Sequence, residues 1–335
     1  MAYIYKKIIE GKTYYYLRVS KRVGEKVIAK DIAYLGSDAS KIEKELSKIS
    51  SVYKKDIRKA YSNIQKFIQS EYYLNKAKKL KLREDNYISR LLLEEVEAAR
   101  LHFNERFLKL DKKTIKEAYK NFLIDFAFNT TSLEGNTITL NEAAKLLREN
   151  LTPKNRTLTE IYDLQNTEKV FFEILKSGKK IGHEFVIDIH DKLMENIDSR
   201  RGYRTYDIRV FKSHFEATPH TYIKTDMDIL IKWVENNKKK LHPLVLASAF
   251  HQKFEKIHPF SDGNGRTGRM LMSYILLKNS YPPAIIRKMR RSEYLDALSE
   301  ADKLGIKEIS PKNYKRLSEY VAEELITSYW NNFLV

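Results

Sequence analysis

A chain of 335 residues, 42% hydrophobic and 32% charged, has room for one large domain or two ordinary ones around a substantial core. The absence of cysteine excludes disulfides, thiolate metal centres and a cysteine nucleophile, and no window holds the ~18 apolar residues a membrane-spanning helix needs. The net charge of +18 is uneven: residues 1–83 hold 21 Lys and Arg against 8 Asp and Glu, so +13 of it lies in the first quarter of the chain. Such a stretch attracts polyanions or simply solvates a lysine-rich helix face.

The opening MAYIYKKIIEGK has no long apolar run behind its lysines. This predicts no secretory signal and, with the lack of cysteine, a cytoplasmic protein. Residues 3–9 (YIYKKII), 13–20 (TYYYLRVS) and 27–35 (VIAKDIAYL) are rich in Tyr, Ile and Val and are separated by the glycine-bearing turns EGK and KRVGEK. They predict a small three-stranded antiparallel meander closed by Gly36. Asp38 or Ser40 then caps a helix. In SVYKKDIRKAYSNIQKFIQSEYYLNKAKKLKL, the residues Ile57, Tyr61, Ile64, Phe67 and Ile68 recur at the spacing of one helix face. ISRLLLEEVEAARLHFNERFLKL is a second such segment. Asp111 caps a third, about 114–135, which Gly135 stops. Further helices are predicted at NEAAKLLREN, LTEIYDLQNTEKVFFEILKSG and FVIDIHDKLMENI.

The helical pattern breaks at 202–223, GYRTYDIRVFKSHFEATPHTYI, where alternating β-branched and aromatic residues predict a β-hairpin. DMDILIKWVENNKK and HPLVLASAFHQKFEKI resume it, and the second delivers the chain to HPFSDGNGRTGR (258–269), which opens the apolar segment MLMSYILLKN. Two closing helices complete a mainly α chain with two small β elements.

HPFSDGNGRTGR concentrates phosphate chemistry. Gly263, Asn264 and Gly265 precede a helix, so exposed N–H groups and the positive end of the helix dipole form an anion pocket. Arg266 and Arg269, three apart, share a helix face and can fork onto phosphate oxygens. Asp262 beside them suits Mg2+, which takes one or two carboxylates plus phosphate oxygens. His258 is the group to take a proton from an attacking hydroxyl, and Phe260 and Pro259 pin the loop. Singly these residues are weak signals; as a set they are specific.

The sequence here resembles the Fic family, whose HxFx(D/E)GNGRxxR pattern is met by His258, Phe260, Asp262, Gly263, Asn264, Gly265, Arg266 and Arg269. AFHQKFEKIHPF is similar to the helix before that motif, and IHDKLMENI to an earlier core helix. GYRTYDIRVFKSHFEATPH is similar to the hairpin called the flap, here about 207–223, and the likeness spans roughly residues 120–300. The resemblance implies a helical bundle around the motif loop and transfer of AMP from ATP to a hydroxyl of a target protein. It implies His258 as general base, Asp262 as holder of Mg2+ at the α- and β-phosphates, and Gly263, Asn264 and Gly265 at the α-phosphate. Arg266 and Arg269 would hold the β- and γ-phosphates, and flap residues Phe211, Lys212, His214 and Phe215 would dock the acceptor segment as an added strand.

TTSLEG (130–135) fits the family's inhibitory pattern (S/T)xxxE(G/N), with Thr130 first and Glu134 as the acid. The resemblance implies that Glu134 pairs with Arg269 and denies it to the γ-phosphate. In some relatives that glutamate instead aligns water for AMP removal, so both directions stay open. A nucleotide-sensing, nucleic-acid-binding regulator is a third reading. Transfer of UMP or phosphocholine occurs in a few relatives, and self-modification and a homodimer are open as well. His251 is expected to pack or hydrogen-bond rather than act as a second base. His183, His190, His214, His220 and His242 show no metal spacing. The domain reading is a meander at 1–37, a basic helical region at 38–110 and a Fic-type domain at 111–335. The N-terminal module is open between an extra sheet on the bundle, a target-docking or dimerising unit and a nucleic-acid-binding unit.

Overall fold

The computed structural model describes residues 2–208 and 216–334. The expected meander is present: β1 (Ala2–Ile9), β2 (Lys12–Val23) and β3 (Lys26–Gly36) pair antiparallel in the order β1-β2-β3. Both turns are two residues long. Glu10 and Gly11 have φ of 50° and 76°, a left-handed pair matched to the strand twist, and Gly24 supplies φ 62° to the second turn. Ile4, Tyr15, Leu17, Val19 and Leu35 point to one face, where α1 (Ile42–Ser47), α2 (Ser51–Lys59) and α3 (Tyr61–Ala77) complete a small core with Ile42, Ile64 and Ile68. Asp38 caps this start, accepting from the Ser40 backbone N–H at 3.0 Å.

The helical stretch after residue 50 is not continuous. Ala60, at φ −102° and ψ 8°, ends α2 and restarts the chain as α3. The break rotates Tyr61 off the apolar face, so it is 60% exposed, while Ile64 and Ile68 remain buried. The C-terminal half of α3 crosses into the main core through Tyr73 and Ala77.

That main core is a bundle of α4 (Arg90–Glu105), α5 (Lys112–Leu133), α7 (Leu158–Lys176), α8 (His183–Leu193), α9 (Ile223–Asn237), α10 (Pro243–Ile257), α11 (Asn264–Lys278), α12 (Arg291–Ala301) and α13 (Pro311–Asn332). A satellite cluster joins α5, α6 (Leu140–Glu149) and α7 through Ile124, Ala127, Leu146 and Leu164. The starts are well specified. Asp111 accepts from the backbone of Lys113 and Thr114, and Thr139 with Glu142, and Thr157 with Glu160, form capping boxes. Pro243 and Pro311 begin α10 and α13, where a missing N–H costs nothing. α11 is the axis of the bundle: every residue from Asn264 to Leu276 is buried.

Of the region expected as a hairpin, residues 202–208 and 216–219 carry no strand, and a 3-10 turn at His220–Tyr222 leads into α9. Phe211, Lys212, His214 and Phe215 lie outside the described residues. Among the described residues, no helix is long and apolar enough to cross a membrane.

Candidate active site

The site is the loop that joins α10 to α11. α10 ends at His258, which takes a left-handed conformation (φ 51°, ψ 59°) and turns the chain sharply. Its Nδ1 lies 3.1 Å from the Glu255 carbonyl, which only accepts, so Nδ1 carries the proton and the neutral ring has its lone pair on Nε2. Burial lowers the His258 pKa below the ordinary histidine value, keeping that ring neutral at pH 7.

The loop is fastened from four sides. Asn264 clamps Phe260 reciprocally: its Oδ1 accepts from Phe260 N–H and its Nδ2 donates to Phe260 C=O, both at 2.9 Å. Its side chain is therefore spent on the loop, and only its backbone N–H is left for an anion. Phe260 is fully buried and stacks on the His190 ring at 3.6 Å between centroids. His190 Nε2 reaches the Asp262 carbonyl at 3.1 Å, and Nδ1 lies 2.9 Å from the Asp191 carboxylate. Buried Arg204 donates from its backbone to Pro259 C=O (3.0 Å) and from Nε to His258 C=O (2.9 Å). Its remaining donors reach the Tyr206 and Thr218 carbonyls.

Beyond the loop, the N-terminus of α11 presents its first-turn N–H groups. Gly263, at φ 75°, has no space for a side chain, since a Cβ would lie 2.7 Å from Met194 Sδ. The Asp262 carboxylate accepts from Gly263 N–H at 2.6 Å, and its side chain is 56% exposed. Gly268 lets α11 lie against α10; a Cβ there would come within 2.6 Å of His251 Nδ1. His251 is wholly buried and hydrogen-bonded to Tyr294, the packing role expected of it.

The two arginines part company. Arg266 Nη1 donates to Asp163 of α7 at 2.5 Å and its Nη2 to Asp262 at 3.3 Å. Asp163 is held in turn by Asn136 Nδ2 at 3.3 Å. Arg269 donates Nε to Thr130 Oγ1 (2.8 Å) and Nη2 to Thr130 C=O (3.0 Å) and Glu134 Oε1 (2.5 Å). Burial opposes the Arg269 charge, but the groups around it, Glu134 first, together outweigh it and hold the guanidinium above its usual pKa. Glu134 is the C-terminal cap of α5, followed by Gly135 at φ 107°, so the helix end delivers the carboxylate into the cleft. A Cβ on Gly265 would lie 2.0 Å from Glu134 Oε1. The acid thus sits over the first turn of α11, where an anion is favoured.

All of this faces one cleft of about 1190 Å³, lined by Glu134, Glu255, His258, Asp262, Gly265 and Arg269 on one side and by α12 and the turn after it on the other. That volume accommodates a nucleotide. Burial raises the Glu255 carboxyl in the cleft wall to a pKa of about 8. The expected His258, Asp262, Gly263, Asn264, Gly265, Arg269 and Glu134 line this cleft, while Arg266 is buried and paired with Asp163 and Asp262. Arg204, Asp163 and Asn136 were missed, and His190 was considered only among the histidines without metal spacing. Each is a common residue type far from the motif in sequence, with no local pattern to mark it.

The Fic/DOC family profile matches residues 180–276. "Protein adenylyltransferase Fic" of Nematostella vectensis is 28% identical over 197 residues, covering 57% of this chain and 45% of that protein. The protein of the same name from Aedes aegypti is 28% identical over 225 residues, covering 61% and 44%. The chain thus spans a little under half the length of these curated relatives. Among solved structures, a Fic-domain-containing signaling protein from Bacteroides thetaiotaomicron aligns with a TM-score of 0.64 and 22% identity, covering 70% of this chain and 94% of that one. Fic-1 of Caenorhabditis elegans aligns at 0.59 and 21%, covering 72% and 70%. These two likenesses concern the fold. Sequence profile and backbone agree on one conclusion: this chain carries a Fic/DOC family domain across residues 180–276.

Proposed function

We propose that the protein is an adenylyltransferase that moves AMP from ATP to a hydroxyl side chain of a protein, and that Glu134 holds it in check. The observation that carries this reading is the Glu134 carboxylate, 2.5 Å from Arg269 and seated against Gly265 in the cleft that contains His258 and Asp262. The name shared by the curated relatives supports the reaction class.

The chemistry follows from the residues. The target hydroxyl oxygen attacks the α-phosphorus of ATP, and its proton passes to Nε2 of His258, which the Glu255 carbonyl keeps in the accepting tautomer. The new O–P bond forms as the bond to the bridging oxygen breaks, and pyrophosphate leaves with the electron pair. The first-turn N–H groups of α11 stabilise charge on the α-phosphate. Arg266, held by Asp163, faces the phosphate chain permanently, whereas Arg269 reaches it only after Glu134 withdraws. A solvent-facing carboxylate beside a phosphate cradle fits Mg2+, so Asp262 would hold the ion, which would supply neutralising charge to the phosphate oxygens.

The test is labelling with ATP radioactive at the α-phosphate, on the protein itself and on lysate. Glu134→Gly raises incorporation over the parent, and adding His258→Ala abolishes it. No incorporation by Glu134→Gly, despite bound nucleotide, defeats the transferase reading and leaves a nucleotide sensor. Loss by Glu134→Gly of the ability to strip AMP from a pre-modified target reverses the direction.

A further inference from the structure

The N-terminal sheet uses its two faces in different ways. One face is closed by α1 to α3, and its single tyrosine, Tyr15, is buried with its hydroxyl bonded to Glu71 at 3.0 Å. The opposite face carries five tyrosines, none of them in that core: Tyr3 and Tyr5 on β1, Tyr14 and Tyr16 on β2, and Tyr34 on β3. The register makes them one platform. Tyr5 lies opposite Tyr16, and Tyr16 opposite Tyr34, so three rings cross the sheet in a row. The Tyr16 and Tyr34 rings are 5.3 Å apart, and Tyr14 lies 6.4 Å from Tyr34. Tyr34 is 54% exposed.

Cations frame these rings. Alternation puts Lys7, Lys12, Arg18 and Arg22 on the same face, together with Asp31, which Arg18 takes at 2.6 Å. The Arg18 guanidinium also lies 3.6 Å over the Tyr5 ring. A face built for a protein partner would deplete lysine; here it belongs to a stretch carrying +13, from 21 basic and 8 acidic residues.

We propose that this tyrosine face binds single-stranded nucleic acid, with bases stacked on Tyr16, on Tyr34 and on the Arg18 guanidinium that covers Tyr5, and phosphates on the flanking lysines and Arg22. Flat rings accept any base, and strand spacing sets neighbouring platforms side by side. Single strands are selected because a duplex hides its base faces. The row has room for about two or three bases.

The test is fluorescence anisotropy of the full chain with a labelled 20-mer of uridine, a 20-mer of thymidine and a 20-base-pair duplex, in 50 and 200 mM salt. Both single strands are expected to bind more tightly than the duplex, and whichever is preferred assigns RNA or DNA. With three or four phosphates neutralised, affinity falls about 20- to 50-fold between the two salts. Tyr16→Ala combined with Tyr34→Ala weakens binding at least about fivefold, while the Phe pair at the same positions retains it, since the ring does the stacking. Circular dichroism of both variants checks that the sheet is intact. No binding at 50 mM salt overturns the proposal. So do equal affinity for duplex and an intact Ala pair that binds like the parent, both of which would reduce the effect to general charge. Self-association through this face without oligonucleotide binding assigns it to a second copy of the chain instead.

Discussion

If Glu134 acts as a built-in phosphate surrogate, removing it must tighten nucleotide binding by the free energy of the contact it makes. Glu134→Ala deletes one 2.5 Å charged contact to an arginine that is only 3% exposed, while Glu134 itself is 35% exposed. Breaking a fully buried pair costs roughly 3–5 kcal/mol and an exposed pair about 0–1. This pair lies between, and Arg269 retains both bonds to Thr130, so about 2 kcal/mol is the expected loss. For 335 residues the unfolding entropy is about 0.7 kcal/mol per degree, so the ligand-free variant melts about 3 °C below the parent. At saturating magnesium and ATP the gap closes, because ATP no longer has to displace the acid and the variant regains the same free energy on binding. The same 2 kcal/mol tightens its Kd about 30-fold by calorimetry. AMP, which lacks the phosphates that would meet Arg269, gains less. Equal ATP affinity within twofold, with unchanged melting, would show that Glu134 does not compete with nucleotide and would refute the surrogate argument.

The pH profile of labelling, measured in the Glu134→Ala background, is the second check. Burial depresses the His258 pKa, so the base is neutral above that lowered value and the rate falls only as pH drops through it. An acid limb centred at or above the ordinary histidine value of about 6.5 would assign the proton transfer elsewhere. Asp163→Asn removes the charge partner of buried Arg266 while leaving an acceptor in place. It is expected to lower the melting temperature by about 3–4 °C and weaken magnesium–ATP binding about tenfold or more, and unchanged nucleotide affinity would mean that Arg266 does not need its anchor.

The site was legible because its chemistry is contiguous. A histidine, an acid, three glycines and two arginines within twelve residues need no long-range knowledge to be grouped, and TTSLEG is marked by its likeness to the family's inhibitory pattern. The supporting shell was not legible for the opposite reason. Asp163 reaches Arg266 across 103 positions and Arg204 reaches His258 across 54, and neither sits in a local pattern that separates it from a surface charge. Asn264 is grouped with the phosphate on the family resemblance, and the structure adds that its side chain bonds Phe260, which leaves its backbone N–H for an anion. The fold shows the same division. The meander followed from Tyr-, Ile- and Val-rich runs separated by glycine-bearing turns, whereas the break at Ala60 falls on a strong helix former and left no trace in composition.

The two motif arginines separate what is permanent in this site from what is exchangeable. Arg266 is fixed between two carboxylates of its own half of the cleft, so its charge remains available whatever α5 does. Arg269 is held at both ends of the TTSLE segment, by Thr130 through backbone and hydroxyl and by Glu134 through its acid. Only the second of these contacts lies at the cleft, and only it has a carboxylate where a phosphate oxygen would go. The threonine can therefore stay bound when the glutamate leaves, which keeps the guanidinium aimed at the cleft with no further cost of ordering. Gly265 permits this exchange: a side chain there would expel the acid and intrude on the anion that replaces it. On the proposed reading, inhibition and phosphate binding would use the same space above one helix terminus, and a change that abolishes the first without touching Arg269 or Gly265 would leave the second intact.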